Sequence, residues 1–541
     1  MNFYFIINNF FYIYFIFVVG FLVNKKIIKL ELDKNLTIIF GIIYASLIGL
    51  LINFFFPLSN LVNTTFFTST IIISFFYYKE ILNNKNIKLF FIIGLINILL
   101  LLGAHHNRPD ALVYHLPYIA TLNEEKIIFG LNNINYRFGH TGIIQYLSAI
   151  SYNYFFGING ISLYLPLAFS SLLYFFYEEI KKNKNNILCI VSVFFICIIL
   201  LKFHRVSEYG NDYWSHFYLI LSFYLVFKSI QNNQLQFEEF FQISLLLFFA
   251  FLNKIFFIIG GIFLFYILIK FNKKNYLFNK KIFFILFFLI IFFTKNIINT
   301  GCIIYPLDQT CFNKLSWTAK VDNYGNAKKV AVDSEAWSKD WPNFFKKNEK
   351  KITQEDYISN FNWINTWGKN HLLLIIKKLI PVTTVILLMF FLLRRNNQLE
   401  KSFDKFLFWI SLLLLLIWFL KFPLLRFGLS IILITISCIF FIIIQNFKLT
   451  ILSKKNIYFL VICCCLIASL QNLKKIVKNN DQMIPYLYDD QNHIKIYDKN
   501  NFVMHLNNQN YCGLTPLCSN YNNSKNIVID KFLNYKFYKI K

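Results

Sequence analysis

Long apolar runs alternate with short polar breaks along this chain, and lysine dominates many of the breaks. A membrane-spanning helix needs about 20 apolar residues, or somewhat fewer where neighbours compensate. On that measure, candidate spans begin near residues 2, 37, 64, 88, 160, 187, 213, 240, 255, 281, 372, 405, 427 and 456. The first run, "MNFYFIINNFFYIYFIFVVGFLV", lacks a basic start and a small-residue cleavage site, and Lys25 and Lys26 follow it. That is the pattern of a retained helix rather than a cleaved leader. One apolar stretch is set apart: "HTGIIQYLSAISYNYFFG", residues 140–157, carries Gln145, Ser148, Ser151 and Asn153. It reads as a membrane-surface or re-entrant helix.

The charges between the runs set the orientation. "NKKIIKLELDK", "KEILNNKNIK", "KKNKNN", "FNKKNYLFNKK", "RRNNQLEKSFDK" and "KLTILSKKN" are short basic loops, which belong on the cytoplasmic side. Alternation through the fourteen runs satisfies all six together and leaves both termini outside. The expected organisation is therefore membrane helices over 1–104, an outer loop with juxtamembrane helices over 105–159, and a membrane core over 160–299. An outer insert over 300–370, further membrane helices over 371–471 and an outer tail over 472–541 complete it.

Composition agrees with this picture. The chain has 541 residues, is 57% hydrophobic and 20% aromatic, and is only 15% charged, which places it in the membrane class. The net charge of +27 comes mainly from lysines in the short loops, so it is not the signature of a nucleic-acid partner. Cys302 and Cys311, in "GCIIYPLDQTC", and Cys512 and Cys518, in "CGLTPLC", fall in expected outer regions. They are close enough to close small disulfide loops in an oxidising compartment.

Against that background a few polar residues stand out. Only six basic residues are arginine, and four of them, Arg108, Arg137, Arg205 and Arg426, fall in expected outer loops. The planar arginine fork matches phosphate oxygens, so the four suggest an anionic ligand near the membrane edge, with headgroup contact or pairing to nearby acids as the alternative. Asp110, in "RPDALVYHLP", sits just before a helix that Pro117 would start, where a partly desolvated carboxylate can act as a general base. Glu208 and Asp212, in "SEYGND", form a second acidic site. His115 is the best placed of His105, His106 and His115 to bond a phosphate or sugar. Lys254 divides an apolar run at its expected outer turn. Trp317, Trp337, Trp341, Trp363 and Trp367 crowd the insert, to stack on sugars or to pack a small cap.

These islands together resemble the GT-C superfamily of membrane glycosyltransferases, and most nearly a bacterial GT-C-like branch. The resemblance runs from about residue 88 to 520 and rests on "D…YHL", "RFGHTGIIQYLSAI", "EYGND", "NTGCIIYP", "FPLLRFG" and "YCGLTPLC". It implies an all-α polytopic fold with about 12–14 transmembrane helices, a long first outer loop on the catalytic side, and a small outer insert and tail. It also implies a bacterial inner-membrane enzyme that uses a polyprenyl-phosphate-linked sugar donor. Asp110 would be the base, and the acceptor a glycan, lipid or protein on the extracytoplasmic side. Members that carry an acid pair separated by one hydrophobic residue can recruit a divalent cation, magnesium or manganese. Here Ala111 follows Asp110, which leaves that cation in question. A polysaccharide polymerase or ligase is the alternative enzyme. A lipid-linked substrate flippase fits less well, since no repeated halves stand out.

Overall fold

The computed structural model describes residues 3–102, 110–140, 142–183, 187–203, 212–320, 323, 325–347, 352–395, 403–478, 494–498, 503–507, 512–518 and 527–540. A helix occupies each apolar run. They are Phe3–Leu22, Thr37–Phe55, Asn60–Phe75, Asn84–Leu101, Leu165–Lys182, Ile187–Lys202, Asp212–Asn232 and Phe237–Asn253, followed by Gly261–Lys270, Phe283–Thr300, Leu373–Leu392, Lys405–Lys421, Leu425–Asn446 and Lys454–Lys478. Eight helices among the described residues are long and apolar enough to cross a membrane. The protein is a mostly helical, multi-pass membrane protein.

Eight is fewer than the expected 12–14 because five of the other runs form helices of only 10–17 residues, two of them wrapped in protein. Ile187–Lys202 and Phe237–Asn253 are shorter, and nearly all their residues are covered by other helices. A helix wrapped in protein needs neither full length nor a lipid-compatible surface. The outer helices behave oppositely. In Trp363–Leu392 and Lys454–Lys478 only 22% and 17% of the apolar window is buried, so large side chains such as Phe391 face outward where lipid would cover them. Phe3–Leu22 and Thr37–Phe55 pack backbone to backbone. A Cβ on Gly20 would lie 2.1 Å from the Thr37 carbonyl oxygen, and one on Gly41 1.9 Å from that of Ile16.

Alternation of the helices sends the connections to two ends. At one end the basic loops meet. Lys25 pairs with Glu80, Lys182 with Asp33 at 3.5 Å, and Lys270 with Asp404 at 2.5 Å, while Lys281 donates to the Lys29 carbonyl at 2.7 Å. Leu393–Arg395 and Leu449–Leu452 pair antiparallel there. The other end gathers the remaining loops. Leu58 N–H donates to the Leu122 carbonyl, Asn53 Nδ2 to that of Glu125, and Trp367 Nε1 to that of Pro423. The stretch at 140–157 belongs to this second end. Its described residues form the eight-residue helix Ile144–Ser151, buried and too short to cross, between 3-10 turns that take in His140 and Gly157.

The insert is a helical cap with Ala327–Ser338, Trp341–Lys347, Gln354–Ser359 and Trp363–Trp367, and Cys302–Cys311 closes its first loop. The tail departs from an all-α expectation. It carries hairpins Ile494–Asp498 with Val503–Asn507 and Ile527–Phe532 with Tyr535–Ile540, and a loop closed by Cys512–Cys518. The Lys454–Lys478 helix also runs past the expected boundary at 471 before the tail begins. A membrane-impermeant amine reagent applied to intact cells should therefore label Lys26 and Lys181 together or spare them together, and treat Lys328 and Lys346 in the opposite way. Equal labelling of both sets would contradict the two-ended arrangement.

Candidate functional site

Four charged side chains converge at the loop end opposite the basic cluster. Asp110 heads a π-helical turn, Ala111–His115, which runs directly into helix Leu116–Glu124 with Pro117 in its first turn. Asp212 is the first residue of Asp212–Asn232, where the helix dipole favours a negative charge. Lys254 interrupts the chain between Phe237–Asn253 and the 3-10 turn Ile255–Gly260 with an extended backbone. Arg426 is the second residue of Leu425–Asn446, just after an extended Leu424.

Arg426 joins the two acids. Its Nη1 donates to Asp110 Oδ2 at 3.3 Å, and its Nε lies 3.8 Å from Asp212 Oδ2. Lys254 Nζ pairs with the other oxygen of Asp212. Two carboxylates and two cations thus form a half-exposed cluster of no net charge. The ammonium of Lys254 also lies 3.7 Å from the Phe427 ring centroid. Burial pushes Lys254 down to about 8, and the Asp212 carboxylate works against that shift.

His216 positions the cluster and was not legible as a site residue. It lies one helical turn after Asp212 and is buried. Its Nε2 donates to the Arg426 carbonyl at 2.7 Å, which leaves Nδ1 to accept from Ser430, whose Oγ is 2.7 Å away and whose N–H is 3.3 Å away. This neutral tautomer ties the heads of two helices together and holds Arg426 opposite Asp212. The only advance signal was the four-residue spacing from Asp212, which puts both on one helix face.

The other expected site residues occupy different positions. His115 is buried, with Nδ1 2.8 Å from Gln145 Nε2. Burial pushes it down to about 4, so it is neutral near pH 7. Arg137 donates through Nε to Tyr136 Oη at 3.2 Å, and its guanidinium lies 5.6 Å from the Tyr114 ring. Tyr114 lies near both Arg137 and the acids. Burial raises its hydroxyl's pKa first, and the nearby Asp110 and Asp212 carboxylates raise it further. Arg108, Arg205 and Glu208, with His105 and His106, lie outside the described residues. Among the insert tryptophans, Trp363 and Trp367 are buried, Trp341 stacks on Phe344, and Trp317 packs edge-on to Phe129. Trp337 is 48% exposed, and the Arg426 guanidinium lies 4.9 Å from its ring.

The described residues do not suit a divalent cation. Arg426 and Lys254 already neutralise Asp110 and Asp212, and among the described residues no group of three or more His, Cys, Asp or Glu side chains is arranged to hold a metal.

A family model described as "Domain of unknown function (DUF8201)" matches residues 3–433. The chain belongs to this family. No curated protein and no solved structure matches it. The DUF8201 match takes in Asp110, Asp212, Lys254 and Arg426, and ends before the tail.

Two predictions follow from the geometry. Arg426→Lys cannot reach both carboxylates with a planar fork, so it should lose any activity of the site by about tenfold or more while the fold persists. Undiminished activity would contradict the bridging role. Burial holds His115 and His140 at about 4, below the 6.5 of an open chain. The unfolded state then binds more protons between these values, so stability should rise as pH climbs from about 4 to 6.5 and level off above. Thermal melts of the detergent-solubilised protein should show that slope, reduced in His115→Gln; an unchanged slope would contradict the assignment.

Proposed function

We propose that the protein is a membrane glycosyltransferase of GT-C type, which transfers a sugar from a polyprenyl-phosphate donor to an extracytoplasmic acceptor. The observation that carries this reading is the meeting of Asp110 and Asp212 on Arg426, beside Lys254, at the end of the bundle away from the basic loops. Two further features support the sidedness. The positive loops favour the cytoplasm, and both disulfides lie at the site end or in the tail attached to it, where an oxidising compartment would preserve them.

The roles follow from the contacts. Asp212 is held by two cations and serves to fix them. Asp110 meets Arg426 through one oxygen and is half exposed, so its other oxygen can take the proton of an acceptor hydroxyl. The acceptor oxygen then bonds to the anomeric carbon as the bond from that carbon to the phosphate oxygen breaks, and the electron pair leaves with the lipid phosphate. Arg426 has five N–H groups, more than its two carboxylate contacts use, and the remainder face growing charge on the phosphate together with Lys254. A well-placed donor of this kind contributes about 3 kcal/mol to the transition state. Lipid chains would lie against the exposed apolar faces beside the site.

Asp110→Asn keeps the shape and removes the base. It should lower transfer about 100-fold or more with membrane expression unchanged. Undiminished glycan product in cells carrying the variant would overturn the proposal.

A further inference from the structure

The segment that bears Asp110 has an unusual hydrogen-bonding demand. In the turn Ala111–His115 the Leu116 N–H donates back to the Ala111 carbonyl, and the next residue, Pro117, has no N–H to give. The Leu112 carbonyl is therefore left without the donors that a continuing helix would supply. A buried carbonyl must find a partner elsewhere. It finds two in the tail: the N–H groups of Cys512 and Gly513 each donate to Leu112 O at 3.0 Å. Five residues on, Leu517 N–H donates to Thr121 Oγ1 at 2.9 Å, so the same loop grips both ends of the Asp110 segment.

The Cys512–Cys518 bond closes this loop, and both cysteines are buried against the protein. Gly513 adopts a φ of +58°, which a side chain would resist, so the two consecutive N–H groups can point at one oxygen. A second attachment follows directly. The hairpin Ile527–Phe532 with Tyr535–Ile540 exchanges backbone bonds with Phe129, at 3.0 Å from Phe129 N–H to the Lys536 carbonyl and 2.9 Å from Tyr538 N–H to the Phe129 carbonyl, and Lys536 pairs with Glu125. The tail thus binds the stretch from Leu112 to Phe129, although it lies more than 380 residues away in the chain and outside the DUF8201 match.

We propose that the disulfide-closed loop Cys512–Cys518 is a positioning strap for the site: by capping the Leu112 carbonyl that Pro117 leaves open, it fixes the turn behind Asp110 and so sets that carboxylate against Arg426. The strap itself is independent of the reaction; its catalytic consequence rests on the proposed reading of Asp110. Closure of the loop by a disulfide lowers the number of conformations it must give up to dock, which is how one short loop holds a segment so distant in sequence.

The test uses the full-length protein in detergent or nanodiscs and measures hydrogen exchange. In Cys512→Ser/Cys518→Ser, amides of residues 111–124 should exchange about tenfold faster, while those of Leu425–Asn446 are unchanged. Should that variant fail to fold, folded Cys302→Ser/Cys311→Ser protein treated with a phosphine reductant opens the tail disulfide alone, and the same acceleration is expected. Unchanged exchange over 111–124 after the bond is opened overturns the strap. With a lipid-linked sugar donor, transfer should fall through kcat with KM held. Faster exchange with kcat unchanged overturns the positioning role and leaves the proposed function standing. Faster exchange in a protein whose Asp110→Asn variant still transfers sugar supports the strap and removes the proposed function instead.

Discussion

Arg426 reaches two carboxylates that lie 316 and 214 positions away in the chain, and the arrangement of the whole loop end follows from that bridge. A guanidinium never gives up its charge, so placing it at the edge of an apolar bundle requires compensation. Asp110 and Asp212 provide it, and each must come from a separate element. Asp212 arrives on a helix N-terminus, Asp110 on a turn that a proline interrupts. His216 then fixes the guanidinium's own backbone, and Lys254 balances the second acid. The result is a neutral, half-open cluster whose members come from the ends of three helices and the turn that leads into Leu116–Glu124.

Such a cluster depends on the side chains that surround it. Each charge taken from water needs a partner, and removing one leaves its counterpart exposed to the apolar surroundings. This explains why supporting groups outnumber the candidate catalytic ones. Gln145 holds His115, Ser430 holds His216, and Trp337 and Phe427 lie beside Arg426. The basic end of the bundle is built differently. There Lys25–Glu80 and Lys182–Asp33 link neighbouring loops at the surface, while the buried Glu179 pairs with Lys182 and Lys228 and accepts from Tyr224.

Much of the architecture was legible in the chain because a lipid-facing or buried helix must be written as a long apolar run. All fourteen runs became helices, and the two short cysteine spacings became disulfides. Helix length was less legible, since apolar content alone does not say how far a helix runs, and five of the fourteen have only 10–17 residues. Asp110, Asp212, Lys254 and Arg426 stood out as charges where composition and topology disfavour them. His216 did not, because a single histidine in an aromatic helix looks like filler until Arg426 is brought beside it. His115 and Arg137 were read as phosphate-binding residues; in the structure His115 is buried beside Gln145 and Arg137 lies against Tyr114 and Tyr136. The tail's hold on Leu112 could not be read at all. Pro117 announces a missing donor, yet nothing local says which distant N–H will replace it.

The bridge itself admits a direct measurement. Full-length protein carrying Asp110→Cys and Arg426→Cys, kept in native membranes and treated with a short bifunctional thiol reagent, should yield a peptide pair linking positions 110 and 426 in mass spectrometry after digestion. A link from position 110 to other cysteines, with none to 426 although both thiols react, would contradict the account of one shared site.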